Sequence, residues 1–162
     1  MLLIGGTVAR PLIARAQQPA VPVIGFLSSR SPGEAAGVVA AFQRVDPNRL
    51  VEGRNLAIEY RWAGGRYDLL PALAADLVKR PVTVIAAVGG DVSAVAAKQA
   101  TSTIPIVFGM GGDPIKVGLV DSLSRPGGNA TGYTVLTSDL EPKRLGLLRD
   151  LLPDARAIAV LL

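Results

Sequence analysis

Cysteine and histidine are both absent from this 162-residue sequence. Without thiolates or imidazoles the chain alone cannot build a Cys- or His-ligated metal site, a cysteine nucleophile or a Ser-His-Asp triad. No metal site and no catalytic residue of those kinds is therefore expected, and no cofactor is assigned. The lack of thiols leaves the redox compartment open. Aromatic residues are scarce, at 4%, and no uninterrupted apolar run reaches the roughly 18 residues that a membrane-spanning helix needs. Two phosphate-binding signatures are missing as well. In "GMGGDP" Pro114 stands where the third glycine of a dinucleotide fingerprint belongs, "VGGDVSAVAAK" has its glycines adjacent, and no G-x-x-x-x-G-K-[ST] occurs.

What is present describes a chain able to bury one sizeable core, with 49% hydrophobic and only 19% charged residues. Seventeen basic against 13 acidic residues give a net charge of +4. The Lys and Arg are scattered singly, with no basic stripe interleaved with aromatics, so they read as a solvated surface and no nucleic-acid partner is expected. The first residues, "MLLIGGTVARPLIARAQQP", combine short apolar runs with Ala14-Arg15-Ala16, the small-x-small pattern of an export cleavage site. Residues 1–16 are read as a signal-peptide-like leader and the protein as periplasmic, although no basic residue precedes the apolar run and Arg10-Pro11 interrupt it. A surface helix is the alternative.

Beyond the leader, strand and helix signals alternate. "VPVIGFL" (21–27) is a β-branched apolar run, followed by Ser31, Pro32 and Glu34 in the order of a helix start. In "NLAIEYRWA" (55–63), Leu56, Ile58, Tyr60 and Trp62 alternate with smaller or charged residues, the period of a strand. Asp68 is placed to cap "LLPALAADLVKR", whose leucines recur at helical spacing. "VTVIAAV" (82–88) reads as a central parallel strand and Ser93 to Ala100 as an alanine-rich helix. Ile104 to Phe108 and Ile115 to Leu123 predict a fourth strand and helix. Four βα repeats with short connections predict an α/β fold, a parallel sheet with helices on both faces.

In such sheets ligands sit outside the carboxyl ends of the strands. Three edges qualify: Leu27-Ser28-Ser29-Arg30, Val88-Gly89-Gly90-Asp91 and Gly109 to Asp113. Ser28, Ser29, Gly89, Gly90, Asp91, Gly111, Gly112 and Asp113 are the candidate ligand-binding residues. The glycines would leave room for a ligand, and the helix-start amides would favour an anionic group. Two plainer readings stand beside this one. The glycines serve only to close tight βα turns, and Asp91 and Asp113 cap free amides. Of the aromatics near loops or strand ends, Phe26, Tyr60, Trp62 and Phe108, most are better explained as core.

The segments "VIGFLSSRSPGEAA", "VEGRNLAIEYRWAGGRYDLLPALAADLV", "STIPIVFGMGGDPIKVGLVDSLSRPGGNATG" and "LTSDLEPKRLGLLRDLLP" resemble the ABC-transporter substrate-binding proteins of the tryptophan/tyrosine-type family, over about Val21 to Leu162. That resemblance implies the type I periplasmic-binding-protein fold. It also implies a non-catalytic receptor of two α/β lobes that closes over a small solute, such as an amino acid, and delivers it to an ABC permease in the membrane. Residues 21–132 would form the first lobe. Residues 133–162 would hold the crossing and the start of a second lobe that is largely missing, with Tyr133, Thr134 and Thr137 at the hinge. Thr134 and Thr137 are equally read as satisfying strand-end backbone groups. The sequence departs from the family pattern in its leader, in "QRVDPNRL", where Asp46-Pro47 falls within the expected helix, and at "RAIAVLL", which resembles the second lobe's first strand. The competing reading is an α/β enzyme handling a nucleotide or sugar phosphate.

Overall fold

The computed structural model describes residues 21–43, 50–155, 157 and 159. The leader, Asp46-Pro47 and most of "RAIAVLL" lie outside the described residues. The four runs form the strands expected, each starting about two residues later: β1 (Val23–Ser28), β2 (Ala57–Trp62), β3 (Val84–Val88) and β4 (Ile106–Met110); a fifth, β5 (Ala130–Thr134), begins two residues before the short strand expected around Gly132 to Leu136. All four strand pairings are parallel, in the spatial order β2-β1-β3-β4-β5. The helices are α1 (Ala36–Gln43), α2 (Leu70–Val78), α3 (Asp91–Ala100) and α4 (Glu141–Leu151), with single 3-10 turns at Tyr67–Leu69 and Thr137–Leu140.

Register decides which residues meet. Gly25 lies beside Ile85, Leu27 beside Ala87, and those two beside Ile106 and Phe108, so these residues share one face. On that face α2 and α3 deliver Leu70, Ala74, Leu77, Ala94 and Ala97, closing the main core with Leu119 and Ala130. Gly25 is small for a packing reason: a Cβ there would come within 3.2 Å of the Leu77 side chain. The opposite face carries Phe26, Tyr60 and Trp62 as an aromatic cluster, with Phe26 ring centroids 5.3 and 5.1 Å from the other two. The aromatics of β1, β2 and β4 are thus structural, and Phe26 and Phe108 are buried.

Three expectations are corrected. The helix predicted for 115–123 is a turn at 114–118. Asp113 Oδ1 accepts from the Ile115 and Lys116 amides, but Gly118 turns left-handed and the Leu119 and Val120 amides both swing back to the Pro114 carbonyl, ending the turn after one revolution. Its apolar residues Leu119 and Val120 still enter the core. The helix after Ser31 begins only at Ala36, because the Ser31 amide and hydroxyl both donate to Glu34 Oε2, at 2.8 and 2.6 Å, so that hydroxyl does not cap the next amides. Asp68 sits in the 3-10 turn with no capping bond, and α2 starts after it with Pro71 in its first turn.

Away from the core, Arg61 of β2 reaches Asp76 of α2, its Nε donating to Oδ2 at 2.7 Å. That bond holds the Asp76 carboxyl below the usual carboxylate range. A depressed native pKa stabilises the fold fully above the ordinary value, and the contribution is lost as pH falls through the depressed one. Asp76→Asn should therefore lower the melting temperature near neutral pH, with the gap closing on acidification. Thermal melts across a pH series check this.

Candidate functional site

In this strand order the chain leaves β1 toward β2 on one side and reaches β3 on the other, so β1 and β3 flank the topological switch point. Their carboxyl-end loops, Ser28 to Arg30 and Gly89 to Asp91, lie side by side. Ser29 ties them together: its amide donates to Ser93 Oγ of α3 at 2.9 Å and its hydroxyl donates to the Gly89 carbonyl. Its carbonyl accepts from the Gly65 amide at 2.8 Å, joining the turn after β2 to the same knot. Ser28 Oγ accepts the Arg30 amide at 3.2 Å. Both serines are buried and their hydroxyls are engaged within the chain. Gly89 and Gly90 are left-handed, and a Cβ at Gly89 would run into the Ser28 and Ser29 hydroxyls. No side chain caps the α3 N-terminus, which begins at this crevice.

The loop after β4 is held in a different way. Asp91 Oδ1 accepts from the Gly111 and Gly112 amides at 3.1 and 3.2 Å. From the other side, Thr137 donates to the Gly111 carbonyl through both its amide (2.8 Å) and its hydroxyl (3.2 Å), and Thr134 Oγ1 donates to the Gly112 carbonyl at 2.5 Å. Both amides and both carbonyls of this dipeptide are therefore satisfied by the chain itself. None of Gly109, Gly111 and Gly112 is left-handed. They are small because side chains lie over them: Tyr133 over Gly109, Thr137 over Gly111 and Asp91 over Gly112. Asp113 stands apart from this cluster as the cap of the 114–118 turn, 3.8 Å from Lys116 Nζ. Leu136, left-handed at φ 46°, reverses the chain just after β5.

Two open cavities lie at this edge. One of about 290 Å³ includes Arg30, Gly89, Gly90, Gly109, Gly111 and Tyr133 in its lining. The other, about 470 Å³, is lined by Ser29, Arg30, Glu34, Gly65, Tyr67 and Gly89. Arg30 and Gly89 belong to both. Tyr133 and Tyr67 are 67% and 59% exposed, so each offers a ring to its cavity instead of to the core. Among the described residues no group of three or more carboxylates converges as a metal site. The structure thus brings Ser28, Ser29, Gly89, Gly90, Asp91, Gly111 and Gly112 to one edge, together with Tyr133, Thr134 and Thr137. Sequence reasoning passed over Arg30 as a site residue, and over Tyr67 and Ser93. Arg30's signal was its place after two serines at the end of the first strand, but only the strand order makes that end the switch point.

The Asp91 clip has a measurable consequence. Asp91→Ala strands two partly buried amides and should cost about 1–3 kcal/mol of stability, with faster exchange of the Gly111 and Gly112 amide protons. Asp91→Asn, which keeps an acceptor oxygen, should recover most of the loss in urea denaturation.

A family model described as ABC transporter substrate binding protein matches residues 20–162. A tyrosine-binding protein of Clostridioides difficile (strain R20291) is 36% identical over 111 residues, covering 68% of this chain and 31% of that protein. Among solved structures, a conserved domain protein of Vibrio cholerae superposes with a TM-score of 0.69 at 24% identity, over 83% of this chain and 45% of the other. A ligand-free, open substrate binding protein with adhesive properties from Clostridium difficile gives 0.63 at 26% identity, over 83% and 45%. An ABC domain from Streptococcus pneumoniae in complex with L-Trp gives 0.63 at 22% identity, over 70% and 38%. The chain thus spans about a third to under half the length of these proteins.

Proposed function

The chain belongs to the ABC transporter substrate binding protein family, and from that premise we propose that it is a non-catalytic, extracytoplasmic receptor that binds a small aromatic amino acid for delivery to a membrane permease. The observation that carries this reading is the pair of cavities at the β1/β3 switch point, which join a cationic side chain, Arg30, to two exposed rings, Tyr67 and Tyr133. An amino acid with an aromatic side chain offers the matching groups, a carboxylate and a flat apolar ring. The proteins described as tyrosine-binding and as bound to L-Trp support the same class of solute.

The competing enzyme reading needs carboxylates free to move protons at the strand ends. Asp91 Oδ1 is already shared between two amides, and Asp113 Oδ1 is shared between two others. Residues 133–137 are the proposed hinge, where Tyr133 and Thr134 end β5 and Leu136 makes its left-handed reversal. The α4 helix that follows buries none of its residues and leaves Leu145, Leu147 and Leu151 exposed, as suits an element whose packing partner is a second lobe.

Isothermal titration of the purified chain with L-tyrosine and L-tryptophan, against alanine and glutamate, tests the reading. Saturable binding of the aromatic pair, with the ligand recovered unchanged, is the expected result. Product formation, or no preference for the aromatic pair, would sink it.

A further inference from the structure

We infer that Arg30 is the specificity-determining residue of this site, the group that receives the carboxylate of the bound solute. The inference rests on the receptor reading above and adds to it the residue on which recognition of an acid depends. Its basis is a census of what each group at the strand edge already does.

The anion cradle anticipated after β4 is filled from within. The Gly111 and Gly112 amides point at Asp91 Oδ1, at 3.1 and 3.2 Å, so a solute carboxylate would have to displace a covalently tethered one. The serines after β1 are spent or out of reach as well, Ser28 being fully buried. The Ser29 amide goes to Ser93 and the Ser29 hydroxyl to Gly89, while Ser28 Oγ takes the Arg30 amide. Glu34, the other charged residue of the larger cavity, has its carboxylate turned back onto Ser31.

Arg30 differs from all of these. Its backbone is fixed at both ends, the amide on Ser28 Oγ and the carbonyl accepting from Gly64 at 3.3 Å. Its guanidinium makes no hydrogen bond or ion pair among the described residues, meeting Glu34 only as a more distant charge, and it is the sole charged residue lining the smaller cavity. A pinned backbone carrying an uncommitted fork of donors is suited to bidentate capture of a carboxylate. Arg30 also borders both cavities. A carboxylate placed on it leaves the solute's ring free to lie toward Tyr67 or Tyr133.

The test compares L-tyrosine with tyramine, which keeps the ring and the ammonium but has no carboxylate, on the chain and on Arg30→Gln. The chain should prefer L-tyrosine. In Arg30→Gln the affinity for L-tyrosine should fall about tenfold while that for tyramine stays within about twofold, erasing the preference. Arg30→Lys, which keeps the charge without the fork, should fall between the two. Because the guanidinium makes no hydrogen bond or ion pair among the described residues and meets Glu34 only through its charge, the melting temperature of Arg30→Gln should stay close to that of the parent chain. If the chain prefers L-tyrosine and Arg30→Gln keeps that preference, Arg30 is not the receptor although the receptor reading stands. If the chain binds neither L-tyrosine nor L-tryptophan, both fall together.

Discussion

The site depends on one buried residue that holds three loops together. Ser29 engages the loop after β3 with its hydroxyl, α3 with its amide and the turn after β2 with its carbonyl. A parallel sheet aligns its strands by ladder hydrogen bonds, but those bonds stop where the strands stop, and loop positions beyond that point need bonds of their own. Ser29 and its neighbours supply them. The left-handed turn at Gly64-Gly65 brings two amides back to the β1 loop, and the left-handed Gly89 clears space for the two serine hydroxyls. With both ends of the peptide at Arg30 fixed by this arrangement, the origin of its side chain is set before any solute arrives, which lowers the ordering cost of binding.

The second brace runs through Asp91, and it changes what the glycines of the β4 loop mean. A glycine after a strand is usually read as freedom to turn, or as space left for a ligand. Here Gly109, Gly111 and Gly112 keep ordinary backbone angles, and their missing side chains admit Tyr133, Thr137 and Asp91. Asp91 binds the dipeptide from α3 while Thr134 and Thr137 bind it from the segment after β5. Any movement of residues 134–137 would therefore pull on two peptide groups whose other ends are held by the helix that begins at the crevice. The hinge proposed for these residues is thus wired to the cavity wall by short polar contacts, the kind of link through which a domain rotation reaches a binding surface.

How much of this was legible in the sequence follows from the range of the interactions. The strands were readable because β-branched runs and alternation are local signals, and their edges proved to be shared because all parallel strands point the same way. The helix predicted for 115–123 failed at Gly118, whose left-handed angle and the return of the Leu119 and Val120 amides to Pro114 belong to a turn that apolar spacing cannot distinguish from a helix. The capping box at Ser31 was half right: Glu34 does reach back to the Ser31 amide, but it also takes the hydroxyl that would have capped. What no local pattern could show is the pairing of Asp91 with amides 20 and 21 residues away, or of Ser29 with Ser93 across 64. Those contacts decide which polar groups at the edge are occupied. They turn a list of glycines and serines into a framework and leave Arg30, beside the uncapped start of α3, as a charged group with capacity to spare.

Whether such an arginine can govern recognition is a question of solvent. A guanidinium and a carboxylate paired on an open surface gain only about 0–1 kcal/mol, because water screens the attraction and two mobile groups must be ordered. One obstacle is reduced at this crevice, because the backbone of Arg30 is already ordered. Its side chain is exposed and the two cavities beside it are open, so screening falls only as a solute fills them. A solute ring lying along a tyrosine excludes water there. Each further surface that closes over the crevice raises the strength of the charged pair by lowering the local dielectric. The discrimination between an acid and the corresponding amine should accordingly grow with the degree of closure, while the contribution of ring burial follows contact area alone. On the proposed reading, a receptor that closes around its solute would therefore be more selective for the acid closed than open.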